Sequence, residues 1–123
     1  MSLLPKTIPA LRTIAMPADA NPDGDIFGGW IMSQMDIASG NFAAHEVKGR
    51  VVTVAVDAMT FLKPIFVGDD VSCYCEIHKL GNTSIAINVD VWVQRHHSED
   101  IVKVTQGLFT FVAIDDIGQP RKI

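Results

Sequence analysis

The sequence predicts an α+β fold from three features. One continuous apolar stretch of good helix formers runs from residue 28 to about 45, the segments after Gly49 are rich in β-branched residues with alternating polarity, and a Gly81-Asn82 pair sits between two of those segments. A chain of 123 residues is long enough for one real core and too short for two, so residues 1–123 are read as one domain.

Residues 7–16 are apolar enough for a strand, but Pro9 cannot donate to a ladder, which places the segment at a sheet edge or in an extended arm. "PADANPDGD" is a loop. From residue 28 the residues Met, Gln and Ala, with no proline and a late Gly40, predict a long helix that is apolar nearly all round and must be covered on most sides. "RVVTVAVDAMTFLKP" is a strand ending at Lys63-Pro64, and "VGDD" supplies the turn that follows. In "DVSCYCEIHKL" Val71, Cys73, Cys75 and Ile77 alternate with Ser72, Tyr74, Glu76 and His78, the period of a half-buried strand. "GNTSIAINVDVWVQR" answers with Ile85, Ile87, Val89, Val91 and Val93 on one face. Gly81 and Asn82 tolerate positive φ, so a tight antiparallel hairpin is expected between them. After a polar turn at "HHSED", the last strand is apolar on both faces from residue 107 to 113, which suits a central or interfacial position.

The resulting order predicts a long helix lying against one curved antiparallel sheet. A single sheet cannot wrap a helix this apolar, so a second copy of the chain is expected to cover the remainder, giving an obligate homo-oligomer.

Composition narrows the function. A formal charge of −4 with 20% charged residues offers no basic excess to grip a polyanion, which argues against nucleic-acid binding. The N-terminal stretch is broken by Pro5, Pro9 and Pro17 and does not read as a signal peptide, so the cytoplasm is the expected compartment. Gln34, Asp36, Ser39 and Asn41 interrupt the apolar run too often for membrane insertion. Cys73 and Cys75 lack the spacing of a metal or redox motif and read as core thiols, and His45, His78, His96 and His97 show no ligand spacing, so no metal is expected.

One residue stands out chemically. Between Asp25 and His45, Asp36 is the sole ionisable side chain, and a carboxylate in apolar surroundings is costly unless something compensates. A structural account has it hydrogen-bonded to Ser33, Ser39 or a nearby backbone group.

Asn21, the run "GDIFGGW", Met35-Asp36, "VVTVAVD", "FLKPIFVGD" and "FTFVAID" resemble the hot-dog-fold acyl-CoA thioesterases, in particular the bacterial YciA-like group, over nearly the whole chain. The resemblance implies a helix wrapped by a sheet, active sites shared by two subunits, assembly as dimers and trimers of dimers, and hydrolysis of acyl-CoA thioesters. It also implies catalytic roles for Asp36 and Asn21. Gly28 and Gly29 would open the helix N-terminus, whose unpaired N–H groups suit a carbonyl oxygen that gains negative charge. Asp36 lies eight residues beyond Gly28, roughly 12 Å along a helix, so the two meet only if an antiparallel second helix brings one chain's acid to the other's helix tip. Asp36 would then be a general base for water or a nucleophile, with Asn21 orienting the water or the carboxylate.

Substrate contacts are expected from Lys63 and from Asn82, Thr83 and Ser84 of the hairpin, with Lys79 and Arg95 as further cations for phosphates. Met32, Met35 and Phe42 are either plain core or the lining of an acyl tunnel. No cofactor is expected, coenzyme A being part of the substrate. Two other readings compete. "DANPD" approaches the hydratase pattern Asp-x-Asn-Pro-x-His, but Asp23 stands where that pattern has histidine, and a non-catalytic acyl-CoA sensor would keep the pocket without turnover.

Overall fold

A computed structural model describes residues 4–123; the first three residues of the proline-broken N-terminal stretch lie outside the described residues. The elements are β1 (Leu11–Ile14), a 3-10 turn (Pro17–Asp19), α1 (Gly28–Val47), β2 (Val51–Phe61), β3 (Asp70–Leu80), β4 (Ser84–Gln94) and β5 (Ile101–Ala113). The five strands form one antiparallel sheet in the order β1-β3-β4-β5-β2. Pro9 falls outside β1, which is indeed an edge strand, and β5 lies between β4 and β2, as its two apolar faces predict.

Alternation decides which face packs. Ile85, Ile87, Val89, Val91 and Val93 of β4 are fully buried, and the buried side of α1, with Ile31, Met35, Ala38, Ala43 and Val47, belongs to the same cluster. Burying side chains of this size is worth about 1.5–3 kcal/mol each, so this helix-on-sheet contact is the main source of stability. One glycine sits at a tight point: a Cβ on Gly107 would press into the Met59 and Met35 methyls at 2.9 and 3.3 Å, whereas one on Gly40 would make an ordinary 3.4 Å contact with the Phe111 ring. Met35 is therefore packed in the core, and Phe42 packs against the same core, while Met32 is partly exposed. The sheet leaves Met32 and Ile37 of α1 uncovered, the second of them 57% exposed.

At the end of α1, Lys48 adopts the left-handed conformation (φ 57°), and Arg121 from the C-terminal segment donates to the Val47 carbonyl at 2.7 Å, satisfying one of the open carbonyls of the last turn.

The β3–β4 turn departs from the sequence expectation. Neither Gly81 nor Asn82 takes a positive φ; the N–H of Gly81 donates to the Ser84 carbonyl at 2.8 Å, and the loop is wider than a two-residue hairpin. A Cβ at 81 would press on the Ser84 hydroxyl, which would have to rotate aside.

Strand β2 is the other sheet edge and is irregular. It takes eight steps from Thr53 to Phe61 where β5 takes six from Phe111 to Thr105, with breaks in register between Thr53 and Ala55 and between Asp57 and Thr60. Ala58, inside the second break, has φ 52°. Such bulges bend a strand and re-aim its side chains. Val52, Val54, Phe61 and Leu62 along this edge are between 42% and 54% exposed.

Candidate active site

Asp36 lies in the middle of α1 and is half buried. Its Oδ1 accepts a hydrogen bond from the Thr53 hydroxyl of β2 at 2.7 Å. Thr53 pairs with Phe111 on the helix-facing side of the sheet, which is why it reaches the helix. The serine partners expected from the sequence are otherwise engaged: Ser39 donates to the Met35 carbonyl at 2.7 Å and Ser33 to the Trp30 carbonyl at 2.7 Å, the usual back-bonding of helical hydroxyls. Thr53 is the site residue that sequence reasoning missed.

Asn21 organises the loop before the helix. Its Oδ1 accepts the N–H groups of Asp23 and Asp25 at 3.0 and 3.1 Å, and its own N–H donates to the Asp25 carbonyl at 2.7 Å. With the side-chain oxygen engaged twice, the amide NH2 is the end left to face a ligand, and this pattern fixes which atom is nitrogen. The turn-forming role and an outward donor thus coexist in one residue.

Gly28 and Gly29 form the exposed first turn of α1. Phe27 supplies no side-chain cap, and the N–H groups of Gly28 and Gly29 have no acceptor among the described residues. A side chain at Gly29 would meet nothing within 4 Å, so the tip is open to an approaching oxygen. Beside it is a pocket of about 310 Å³ lined by Ile26, Gly28, Ile31, Phe61, Leu62, Lys63, Pro64 and Ile65. Apolar walls, one lysine and a helix N-terminus are what a polarised group on a greasy chain needs.

Within one chain the candidate residues do not form one cluster. Lys63 is at the helix N-terminal end with Gly28. The hairpin residues lie at the far end: the Thr83 carbonyl accepts from Ala113 at 2.9 Å and the Asn82 carbonyl from Ile123 at 3.0 Å, in the same C-terminal segment that caps the last turn of α1. A 20-residue helix separates the two ends, about 30 Å. Ser84 and Thr83 are half buried and Asn82 exposed. Arg95 is not a free cation for phosphates, since its side chain is 15% exposed and paired with Asp69 at 2.6 Å, whereas Lys79 is exposed on β3.

Both cysteines are free; burial pushes the Cys73 and Cys75 thiols up from 9.0 to about 12, with a smaller contribution from Cys75 beside Cys73 and from Asp90 beside Cys75. They are poor nucleophiles at neutral pH. Among the described residues no group of three or more His, Cys, Asp or Glu side chains is placed to hold a metal ion, and no helix is long and apolar enough to cross a membrane.

The geometry therefore offers a carboxylate steadied by a hydroxyl, an open helix tip beside an apolar pocket, and an amide donor on a rigid loop. Comparison with known proteins fits this inventory. The family model described as "Thioesterase superfamily" matches residues 23–99. The chain is 55% identical over 116 residues to the acyl-CoA thioester hydrolase YciA of Salmonella typhimurium, covering 92% of this chain and 87% of that one. It superposes on the hexameric thioesterase y2039 of Yersinia pestis with a TM-score of 0.92 and 54% identity, over 98% of both chains. A second solved structure, HI0827, a hexameric broad specificity acyl-coenzyme A thioesterase, gives a TM-score of 0.90 and 51% identity over 98% of this chain and 84% of that one. The arrangement of helix and sheet is thus shared across nearly the full length with thioesterases of the hot-dog fold, and this chain belongs to the thioesterase superfamily.

Proposed function

We propose that this chain is an acyl-CoA thioester hydrolase, releasing coenzyme A and a carboxylic acid at sites shared between two copies. The observation that carries the reading is the 2.7 Å bond from Thr53 to Asp36, which explains an acid in an apolar helix by holding it in one orientation on the open side of the molecule. Asp36 stands roughly 12 Å from its own helix tip, too far to act there. A second copy docked on β2 with its helix antiparallel brings its own tip, Asn21 and pocket to this Asp36. The exposed apolar edge of β2 supports that mode of association, because an unpaired edge of this length is normally covered or guarded by charge. Relatives described as hexameric support further assembly as a trimer of dimers.

In this reading the thioester carbonyl oxygen sits against the N–H groups of Gly28 and Gly29, and the acyl group enters the pocket beside them. Asp36 of the other copy removes a proton from a water that attacks the carbonyl, or attacks it directly; in both routes the C–S bond breaks and coenzyme A leaves as its thiolate, and in the second the mixed anhydride left behind is hydrolysed by water. The Asn21 amide donates to the water, the carboxylate or the developing oxyanion. The negative charge formed in the transition state then meets fixed donors instead of reorganising solvent. Lys63 and the far-end residues Asn82, Thr83 and Ser84 are the proposed contacts to the coenzyme A moiety. The enzyme is assigned to the cytoplasm, to which its unpaired thiols are suited.

Thiol release from acyl-CoA esters of graded length, by wild type and by Asp36→Asn, tests the proposal. Turnover by wild type and its loss by at least 10³-fold in the variant is the expected result, on the scale of removing a reacting group. Binding without turnover would identify a sensor instead, and hydration of crotonyl-CoA without thiol release a hydratase. Incorporation of heavy oxygen from water into the Asp36 carboxylate during one turnover would separate nucleophile from base.

A further inference from the structure

Away from the residues that face the proposed site, the most sheltered ion pair among the described residues joins Asp69 to Arg95. Asp69 is 3% and Arg95 15% exposed at the side chain, with Arg95 Nη1 2.6 Å from Asp69 Oδ2. The same nitrogen donates to the Pro64 carbonyl at 2.9 Å, and the guanidinium lies 4.7 Å from the centre of the Phe66 ring. Asp69 Oδ2 accepts, in addition, the N–H of Phe66 at 2.9 Å. The pair therefore grips residues 64–66 through a carbonyl, an amide and an aromatic face, in a connection that has no regular hydrogen-bonded ladder of its own.

What residues 64–66 hold in turn is the entry to α1. Ile26 donates to the Ile65 carbonyl at 2.9 Å, and Asp25 bridges to Phe66. Asp25 is bonded in both directions to Asn21, at 2.7 and 3.1 Å, and Ile26 is two residues before Gly28. An unbroken set of short polar contacts thus runs from Arg95 to the Asn21 loop and the helix tip, and Pro64 and Ile65 also wall the pocket beside that tip.

We propose that the Asp69–Arg95 pair is a positioning device for the reaction: by fixing residues 64–66 it sets where the Asn21 amide and the Gly28 and Gly29 N–H groups stand relative to the substrate carbonyl. The inference rests on the hydrolase reading above. Neither residue touches substrate; both act through the loop. Donors aimed at a developing charge work only when held within a fraction of an ångström, and a largely sheltered pair in fixed geometry holds a loop more tightly than fully exposed contacts do.

The test uses the full chain in its native assembly, comparing wild type with Arg95→Met, Arg95→Lys and Asp69→Asn by steady-state kinetics and amide hydrogen exchange. For Arg95→Met, kcat should fall about 30- to 100-fold with KM changed less than about threefold, the scale of a misplacement near 1 Å. Exchange in residues 21–31 should accelerate about tenfold or more while residues 40–47, at the other end of the same helix, hold their rate, since local opening is separable from global opening. Arg95→Lys keeps the charge but gives up the guanidinium's place over the Phe66 ring, so it should recover only part of the loss. If Arg95→Met fails to fold, Asp69→Asn, which keeps the shape and removes the charge, is read in the same way.

A kcat within twofold of wild type, a loss confined to KM, or exchange that rises equally at both ends of α1 would overturn the proposal and leave the pair a stabiliser only. Wild type releasing no thiol would sink the hydrolase reading instead, and the exchange comparison would still decide whether the pair holds the tip.

Discussion

Replacing Thr53 by valine removes one hydroxyl and almost nothing else. Valine has the same shape and favours strands, so β2 should form as before and stability should fall by no more than the worth of the lost hydrogen bond. What is lost is the 2.7 Å bond to Asp36 Oδ1, a charge-assisted contact of a class worth about 1.5–3 kcal/mol. If that bond holds the carboxylate in its reacting orientation, its loss appears in the barrier, and at 1.36 kcal/mol per decade the rate should drop by about 10- to 100-fold. Thr53→Ser keeps the hydroxyl and should stay within about fivefold of wild type, the remaining loss reflecting a freer χ1. Initial rates of thiol release across substrate concentrations are the assay, with circular dichroism and sizing to show intact fold and assembly. A valine variant that turns over at the wild-type rate would refute the link between this bond and the reaction, and Asp36 would revert to a structural acid.

Other perturbations follow from the same geometry. Val54→Lys places a charge on a residue 54% exposed at the β2 edge; light scattering should show smaller species and thiol release should fall with them, whereas a fully active monomer would contradict a shared site. Gly28→Ala adds a methyl that would sit 3.5 Å from the Phe61 ring, an ordinary contact, so the fold should be as stable or up to about 1 kcal/mol more stable, while kcat drops about tenfold because the methyl crowds the open tip. An unchanged kcat would show that no carbonyl approaches there. The Cys73 and Cys75 thiols, raised to about 12, stay protonated at neutral pH and should react slowly with thiol reagents in the native protein at pH 8. Because the unfolded chain loses these protons first, the stability they contribute is complete below pH 9 and is lost as pH rises toward 12. Denaturant melts should therefore weaken more steeply with alkaline pH in wild type than in the Cys73→Ala, Cys75→Ala double variant.

Helix α1 was legible because nothing in it breaks a helix, and its Asp36 was conspicuous because no other charge surrounds it. The partner of that acid was not legible. Thr53 is 17 residues away on a strand whose valines suggest a simple two-residue period, yet Val52 pairs with Val112 on the outer face and Val56 with Phe109 on the inner one. The register break between them reverses the faces, and a bulge leaves no mark in hydropathy. Regular β4, whose period is unbroken, could be assigned residue by residue. Gly81 lies in the turn as its sequence context implies, but without the positive φ that a tight glycine-asparagine hairpin uses. Arg95 looked like a surface cation because composition cannot reveal that Asp69, 26 residues earlier, folds against it.

The bend at Ala58 has a further consequence. It lies between the first part of the strand, residues 51–57, which carries its own register break after Thr53, and a second part at Phe61 and Leu62 that walls the pocket. Phe61 and Leu62 border the pocket while Val52 and Val54 sit on the exposed edge before the bend, so changes in bulk at Phe61 or Leu62 reshape the cavity and leave Val52 and Val54 as they are. A scaffold arranged in this way is free to vary what its pocket admits while the first part of the edge strand stays constant.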